Sequence, residues 1–142
     1  MRTPLLTLAI LGAAACASAP APIDAWTSGV AYTPMGAATG AGAFSATING
    51  STTKAAPYTI RVHITKGGKI LPHTHPDDRL ITVVSGNLCY GFGDEFNEQG
   101  CTMYPAGSYF IVPGNLPHYG YGKEEAVYQE SGVGPSAFVL PK

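Results

Sequence analysis

Apolar and polar residues alternate with a period of two along the middle of this chain. In residues 58–65, tyrosine, isoleucine and valine occupy the even positions, and threonine, arginine and histidine occupy the odd ones. Side chains of a β-strand point to opposite faces in turn, so this segment has one apolar and one polar face. The alternation therefore predicts a half-buried β-strand.

Several other short segments are rich in β-branched and aromatic residues and are bounded by turn residues. The predicted strands are 44–48, 58–65, 80–85, 88–92, 109–112, 118–121 and 126–130, with a possible last strand at 138–140. Gly86 and Asn87 are interpreted as a hairpin turn between two of these strands. No helical periodicity of useful length is present, so the chain is predicted to be all-β, a sandwich or a barrel.

The first residues have a different composition. Residues 1–19 carry one arginine, an apolar run over 5–15 and then small residues, which is typical of a secretory signal peptide. Residues 20–42, rich in Ala, Gly, Pro and Thr, are predicted to form an irregular arm, and residues 43–142 a single domain. The chain is therefore expected to be secreted or periplasmic. An alternative is a lipoprotein anchored to a membrane through Cys16.

The net charge of the chain bears on its possible partners. The net charge is −1, and losing Arg2 with the signal leaves seven basic residues against nine acidic ones, so no nucleic-acid partner is expected.

Cys89 and Cys101 flank the loop 91–100. In an exported protein they are expected to form a disulfide across a hairpin, and the alternative is two buried thiols.

Three histidines suggest a metal site. His73 and His75 form an H-x-H pair, which on an extended segment puts both imidazoles on one face. His118 follows a Pro-Gly turn far along the chain. Neutral imidazole is the commonest protein ligand of transition metals, so these residues are candidate ligands for Fe, Zn, Mn, Ni or Cu.

These motifs resemble those of the cupin superfamily. Residues 67–86 are similar to the first cupin motif, with a glycine, H-x-H and a later glycine, and residues 107–122 are similar to the second. The resemblance covers about residues 44–141 and is closest to small single-domain bacterial cupins that end in a G-x-G-P segment, here residues 132–135. It implies an RmlC-like jelly-roll β-barrel of two antiparallel sheets with a divalent metal inside.

One position departs from the family pattern. A glutamate normally follows the H-x-H pair and completes the metal site, whereas Arg79 stands here. At about 6 Å and an effective dielectric of about 20, a guanidinium repels a divalent ion by about 5 kcal/mol. Three interpretations follow: the three histidines hold the metal alone, Asp77 replaces the glutamate through a local bulge, or the metal is lost and the pocket binds an anionic or polar ligand through Arg79 and the histidines.

Further residues are candidates for a substrate pocket. His63 and Asp77 are possible acid–base groups, and Arg79 is a possible contact for a substrate carboxylate. Additional substrate-binding candidates from the strands are Arg61, Tyr90 and Gln129.

Two functions are consistent with this sequence. The first is a metal-dependent enzyme with oxygenase, isomerase or lyase chemistry on a small molecule. The second is a non-catalytic barrel that binds a small molecule or anion at a degenerate metal site. A second ionisable group beside the histidines would favour the enzyme. The resemblance also suggests a homodimer.

Overall fold

A computed structural model describes residues 29–36 and 39–141 of the chain. The predicted signal peptide at 1–19 and Cys16 lie outside the described residues, as does the first part of the predicted arm. No helix among the described residues has both the length and the apolar character needed to cross a membrane.

The described part of the chain contains nine β-strands and no α-helix. All of the strand pairs are antiparallel. The strands are β1 (Thr33–Pro34), β2 (Ala43–Asn49), β3 (Pro57–Ile64), β4 (Lys69–His73), β5 (Arg79–Phe92), β6 (Thr102–Pro105), β7 (Tyr109–Val112), β8 (His118–Tyr121) and β9 (Ala126–Val133).

Two antiparallel sheets share the long strand β5. The first half of β5 pairs with β7 on one side and β9 on the other, and β3, β2 and β1 continue that first sheet beyond β9. The second half of β5 pairs with β6 and β8, and β4 completes the second sheet. The fold is the predicted all-β jelly-roll barrel.

The alternation predicted for residues 58–65 is present in β3 with two departures. Tyr58, Val62 and Ile64 are buried and Thr59 and His63 are only partly buried, as predicted, but Arg61 of the polar face is also buried and Ile60 of the apolar face is only partly buried. Val62 and Ile64 join the core between the two sheets, where buried residues of β5 and β9 meet them. The apolar face of this strand therefore faces the inside of the barrel.

The predicted hairpin at Gly86 and Asn87 is wrong, because β5 runs through both residues without reversing. Gly86 has a φ of 72°, and the pairing of β5 with β9 shifts register just before it. A Cβ atom at Gly86 would lie 2.0 Å from the carbonyl oxygen of Glu125. Glycine here lets the strand bend from one sheet into the other, since only glycine adopts this φ without strain.

Two further strand assignments differ between the sequence prediction and the structure. Residues 138–140 form no strand, and only an isolated bridge joins Val139 to Thr74. Strand β6 was not predicted, because four residues ending at Pro105 carry no recognisable alternation.

The predicted disulfide between Cys89 and Cys101 is present, with the two Cα atoms 5.4 Å apart. Cys89 lies on β5, where it pairs with Met103 of β6, so the bond closes the base of the loop between these strands. An extracellular or periplasmic environment is where such bonds persist.

Removing this disulfide should destabilise the fold. The disulfide joins residues 12 positions apart and so restricts the unfolded chain. Replacing both cysteines by alanine removes that restriction, and we expect the free energy of unfolding to fall by about 3 kcal/mol. Urea unfolding followed by circular dichroism measures this loss, and the wild-type protein in reductant is the matched comparison. An unchanged urea midpoint in both samples would contradict a stabilising bond.

Candidate metal centre

The fold brings the three predicted metal ligands together. His73 ends β4, His118 begins β8, and these two residues face each other in the pairing of the strands. His75 follows two residues after His73, as the H-x-H pattern predicted. All three side chains are buried, and one ring nitrogen of each lies within 4.8 Å of the others.

Backbone carbonyl groups orient the three imidazole rings. In each ring, Nδ1 lies 2.7 to 2.8 Å from a backbone oxygen. The pairs are His73 with Leu71, His75 with Ala137, and His118 with Leu116. A carbonyl oxygen can only accept a hydrogen bond, so Nδ1 carries the proton and donates it. The other nitrogen, Nε2, then holds a lone pair in the neutral ring.

The three lone pairs point toward a common region. Nε2 of His73 lies 3.1 Å from Nε2 of His75. Nε2 of His118 is buried and has no hydrogen-bond partner among the described residues. Two lone pairs at 3.1 Å repel each other unless an acceptor of electron pairs lies between them. The donor set therefore fits a divalent transition metal.

The surroundings keep these imidazoles neutral. Burial is the largest cause in each case, and it lowers the pKa of His73 to about 2 and the pKa of His75 and His118 to about 4. The positive charge of Arg79 lowers all three pKa values further. A neutral imidazole is the form that binds a metal, so the rings are ready for one at neutral pH.

Arg79 does not reach toward solvent but lies buried in a network of polar groups. Its Nη1 donates to Oε2 of Glu130 at 2.7 Å, and its Nη2 donates to Oγ of Ser136 at 2.7 Å. Its Nε lies 3.6 Å from Oδ2 of Asp77, and the guanidinium carbon lies 5.2 Å from the centre of the Tyr58 ring. The charge that departs from the family pattern is thus neutralised inside the protein.

Glu130 is a site residue that the sequence analysis did not identify. It lies on β9, where it pairs with Ile81 of β5, and its side chain is buried. Burial raises the pKa of the Glu130 carboxyl group, while the adjacent Arg79 guanidinium opposes that shift. The two side chains form a buried ion pair between neighbouring strands of the first sheet.

Three consecutive residues near the C-terminus also contact the site. Ser136 accepts the hydrogen bond from Arg79, and the carbonyl of Ala137 accepts the one from His75. The ring of Phe138 stacks on His73 with centroids 3.8 Å apart and planes 12° apart. This segment, residues 136–138, therefore positions three different side chains of the centre.

A cavity of about 190 Å³ adjoins the histidines. Its polar side consists of His73, His75, Arg79 and Glu130, with Thr52 and Ser136. Aliphatic and aromatic residues cover the remainder, among them Ile60, Val62, Ile70, Tyr128 and Phe138. This volume is below the range of about 300 to 1,000 Å³ typical of ligand pockets, so it suits a molecule of few heavy atoms.

The structure does not bring every candidate residue to this cavity. Arg61 and Gln129 form a hydrogen bond of 3.2 Å across β3 and β9, and His63 pairs with Glu125 at 2.8 Å. In β3, Arg61 and His63 alternate with Ile60 and Val62, which line the cavity, and Gln129 pairs with Arg61 in the neighbouring strand β9. Arg61, His63 and Gln129 therefore lie on the opposite face of the sheet from the histidines.

Two other candidates lie beside the centre without belonging to the histidine cluster. Tyr90 is fully buried in the core, and its ring stacks on His118 at 5.4 Å. Asp77 is not part of the group of convergent ligands, and its carboxylate instead accepts a hydrogen bond from Tyr58. The interpretation in which Asp77 replaces the family glutamate as a metal ligand is therefore not the arrangement in this structure.

Solved structures of low sequence identity share the fold. One is the polyketide cyclase RemF from Streptomyces resistomycificus, with a TM-score of 0.66 and 13% identity, covering 84% of this chain and 86% of that chain. Another is an acetylacetone dioxygenase from Acinetobacter johnsonii, with a TM-score of 0.65 and 16% identity, covering 91% and 84%. An RmlC-like cupin from Shewanella frigidimarina gives a TM-score of 0.60 and 15% identity, covering 77% and 87%.

In sequence, none of the curated proteins matches this chain. The family model described as Cupin matches residues 41–131. That match spans well over half of the chain and includes all three histidines and Arg79. The protein belongs to the cupin family.

Proposed function

We propose that this cupin binds one divalent transition metal through His73, His75 and His118 and acts on a small molecule in the adjoining cavity. The observation that carries this proposal is the arrangement of the three rings. Each Nδ1 proton is donated to a backbone carbonyl, so three Nε2 lone pairs meet at close range in a buried place. Burying three unpaired imidazole nitrogens costs free energy, so a purely structural role in the core does not account for them.

The charges around Arg79 remove the main objection to a metal. Arg79 is paired with Glu130 and lies near Asp77, so the three side chains together carry one negative charge. With a divalent ion, the net charge of the centre becomes one positive unit. A centre with three histidines and one glutamate has the same net charge. The repulsion calculated for an isolated arginine is therefore offset by its two carboxylate neighbours.

A divalent metal held by three neutral imidazoles supplies Lewis acidity and, where it is iron, redox chemistry with oxygen. The residues of the chain control what reaches that region. Phe138 and Ile70 form apolar walls of the cavity. Glu130 is the acidic residue that lines it, and its carboxylate is positioned to accept a hydrogen bond from a bound molecule.

Two of the structural neighbours are enzymes that act on small molecules, which supports this class of function. One neighbour is an acetylacetone dioxygenase, and another is a polyketide cyclase. Of the two, acetylacetone is the molecule of few heavy atoms, as the cavity of about 190 Å³ requires. We therefore propose oxygenase, isomerase or lyase chemistry on a small molecule as the activity of this chain.

One observation favours a non-catalytic alternative. His63, a candidate acid–base group, lies on the far face of the sheet, and Glu130 is already paired with Arg79. Acid–base catalysis needs an ionisable group within reach of the substrate. If Glu130 stays bound to Arg79 throughout, the cavity serves to bind a small molecule rather than to convert it.

We also propose that the chain is exported, to the periplasm or to the outside of the cell. The disulfide supports this, because such bonds are rare in reducing compartments. The apolar run at residues 5–15, preceded by Arg2 and followed by small residues, supports it as well.

Metal content tests the proposed function directly. We expect about one transition metal ion per wild-type chain and less than about one tenth of that in a His73→Ala/His75→Ala variant, because a three-ligand site is the minimum for a catalytic metal. Elemental mass spectrometry measures the ions. His63→Ala is the matched control, because it removes a histidine on the other face and should keep the metal. Equal metal in all three proteins would refute the site.

Glu130 should affect both stability and metal affinity. The Glu130→Gln substitution leaves Arg79 buried with one fewer anionic partner, and we expect the free energy of unfolding to fall by about 3 to 5 kcal/mol. Metal affinity should fall at least about tenfold, because more positive charge then faces the ion. Urea unfolding and competition with a chelator measure the two effects. Glu125→Gln, an exposed change, is the control, and identical behaviour of both variants would contradict the charge argument.

Metal binding should persist in mild acid. Protons compete with the metal for Nε2, and with pKa values near 4 and 2 the rings stay largely neutral down to about pH 5. We expect the apparent zinc affinity to change less than about tenfold between about pH 7 and about pH 5, and to fall as pH drops through about 4. Three exposed histidines would lose about four orders of magnitude over the first interval. Zinc titration against a chelator measures this, and a loss above a hundredfold would contradict the neutral, buried site.

A further inference from the structure

A segment without regular secondary structure forms one side of the metal cavity. It follows β9, and three of its residues, Ser136, Ala137 and Phe138, line the cavity. We call residues 136–139 the strap. Its inner side contacts the histidines and Arg79, whereas Ala137 and Val139 are exposed to solvent. The strap is therefore a wall that is one chain thick.

The other walls of the cavity are held more firmly. Most of the remaining lining residues belong to β3, β4, β5 and β9, and ladders of backbone hydrogen bonds join these strands to their neighbours. The strap has a single bridge, between Val139 and Thr74. Segments with few backbone hydrogen bonds and little buried surface open most easily. The strap therefore opens at a lower cost in free energy than the walls made of strands.

Few contacts fasten the strap to the barrel. The N–H of Ser136 donates to the carbonyl of Thr52 at 2.7 Å, and Val139 and Thr74 exchange two backbone hydrogen bonds of 2.8 and 3.0 Å. Val139 is 49% exposed, and Phe138 is the strap residue that packs against the core. Lifting the strap therefore breaks these three backbone hydrogen bonds and uncovers one large apolar side chain.

The closed strap covers two of the histidines and completes their surroundings. The ring of Phe138 lies 3.8 Å from the ring of His73 and 5.9 Å from that of His75, measured between centroids. The carbonyl of Ala137 accepts the hydrogen bond that orients His75. When the strap lifts, the two imidazoles lose their cover and His75 loses its acceptor. Access to the histidines and their orientation therefore depend on the same movement.

We propose that the strap opens and closes over the metal cavity and controls which molecules reach the histidines, with Phe138 as the residue that shuts the entrance. This inference rests on the proposed function for the metal and its ligand, whereas the route of access is a property of the chain alone. A bound metal holds His75 in the orientation that the closed strap favours, so metal binding and closure strengthen each other.

A Thr74→Cys/Val139→Cys variant locks the strap. The two residues exchange both of their hydrogen bonds in an antiparallel bridge, a geometry with Cα atoms about 5.5 Å apart that suits a disulfide. Thr74 stands between His73 and His75, so its side chain points away from theirs, and Val139 does not line the cavity. The new bond therefore fixes the strap without filling the cavity. Oxidised protein is the locked form, and a reductant releases it.

Chemical modification of the metal-free protein measures access to the histidines. Diethyl pyrocarbonate reacts with neutral imidazole, and mass spectrometry of peptides gives the rate at each histidine. We expect oxidation of the lock to slow modification of His73, His75 and His118 at least about tenfold, and the reductant to restore the wild-type rate. His63, on the other face of the sheet, should react equally in both forms. Wild-type protein with and without reductant controls for the native disulfide.

Two substitutions should have the opposite effect. Phe138→Ala removes the ring from His73, and Val139→Pro removes the N–H that donates to Thr74. Each should speed modification of the three buried histidines at least about tenfold. Leu140→Pro is the matched control, because Leu140 is 46% exposed and its N–H makes no backbone hydrogen bond within the described part of the chain. It should react as the wild type does.

Several results would overturn the proposal. Wild-type His73 and His75 that react as fast as His63 would show that the strap does not close. A lock without effect would show entry by another route, past Met35 and Thr52. Unchanged rates in either Phe138→Ala or Val139→Pro would also refute it.

The metal provides a second measurement that separates this inference from the proposed function. In zinc-loaded protein, the oxidised lock should slow removal of the ion by a chelator at least about tenfold. A chain that binds no metal would refute the proposed function, and the modification rates of the metal-free protein would still decide whether the strap controls access.

Discussion

The buried ion pair between Arg79 and Glu130 is the interaction on which the rest of the centre depends. Burying a guanidinium inside a barrel is unfavourable unless its charge is balanced nearby. Glu130 on β9 and Asp77 before β5 balance the charge of Arg79, and Glu130 and Ser136 accept hydrogen bonds from its Nη1 and Nη2. The same contacts join three separate parts of the chain. One arginine thus links β9, the segment before β5 and the C-terminal segment beside the histidines.

The metal centre itself is oriented by the backbone more than by other side chains. Each histidine donates from Nδ1 to a carbonyl oxygen, and two of those carbonyls lie two residues before the histidine in the chain. Such bonds are local in sequence. Only His75 relies on a distant segment, since its partner is Ala137. The ring of Phe138, which stacks on His73, belongs to that same segment, so residues 137–138 contact two of the three histidines.

The sequence predicted those features that repeat with the period of a strand or lie close together in a motif. The buried face of β3 and the grouping of His73 with His75 are of this kind. The interpretation of Gly86 as a hairpin turn was wrong, because a glycine at positive φ suits both a turn and a bend between sheets. The face on which Gln129 lies follows from the pairing of β9 with β3, and a single strand read alone does not reveal it. The sequence analysis did not identify Glu130 as a site residue for a related reason, since an acidic residue in a strand normally faces solvent.

The partner of Arg79 could still have been sought by a physical argument. A carboxylate nearby offsets the charge of a buried arginine, and a cation nearby offsets the charge of a carboxylate on the inner face of a strand. Glu130 shares its face with Tyr128 in β9, so its position was as anomalous as that of Arg79. Two anomalies of opposite charge in neighbouring strands explain each other. A substitution at a ligand position is therefore weak grounds for loss of the metal when a second charge restores the balance nearby, and this is why we favour a metal centre with three histidines over a barrel that has lost its ion.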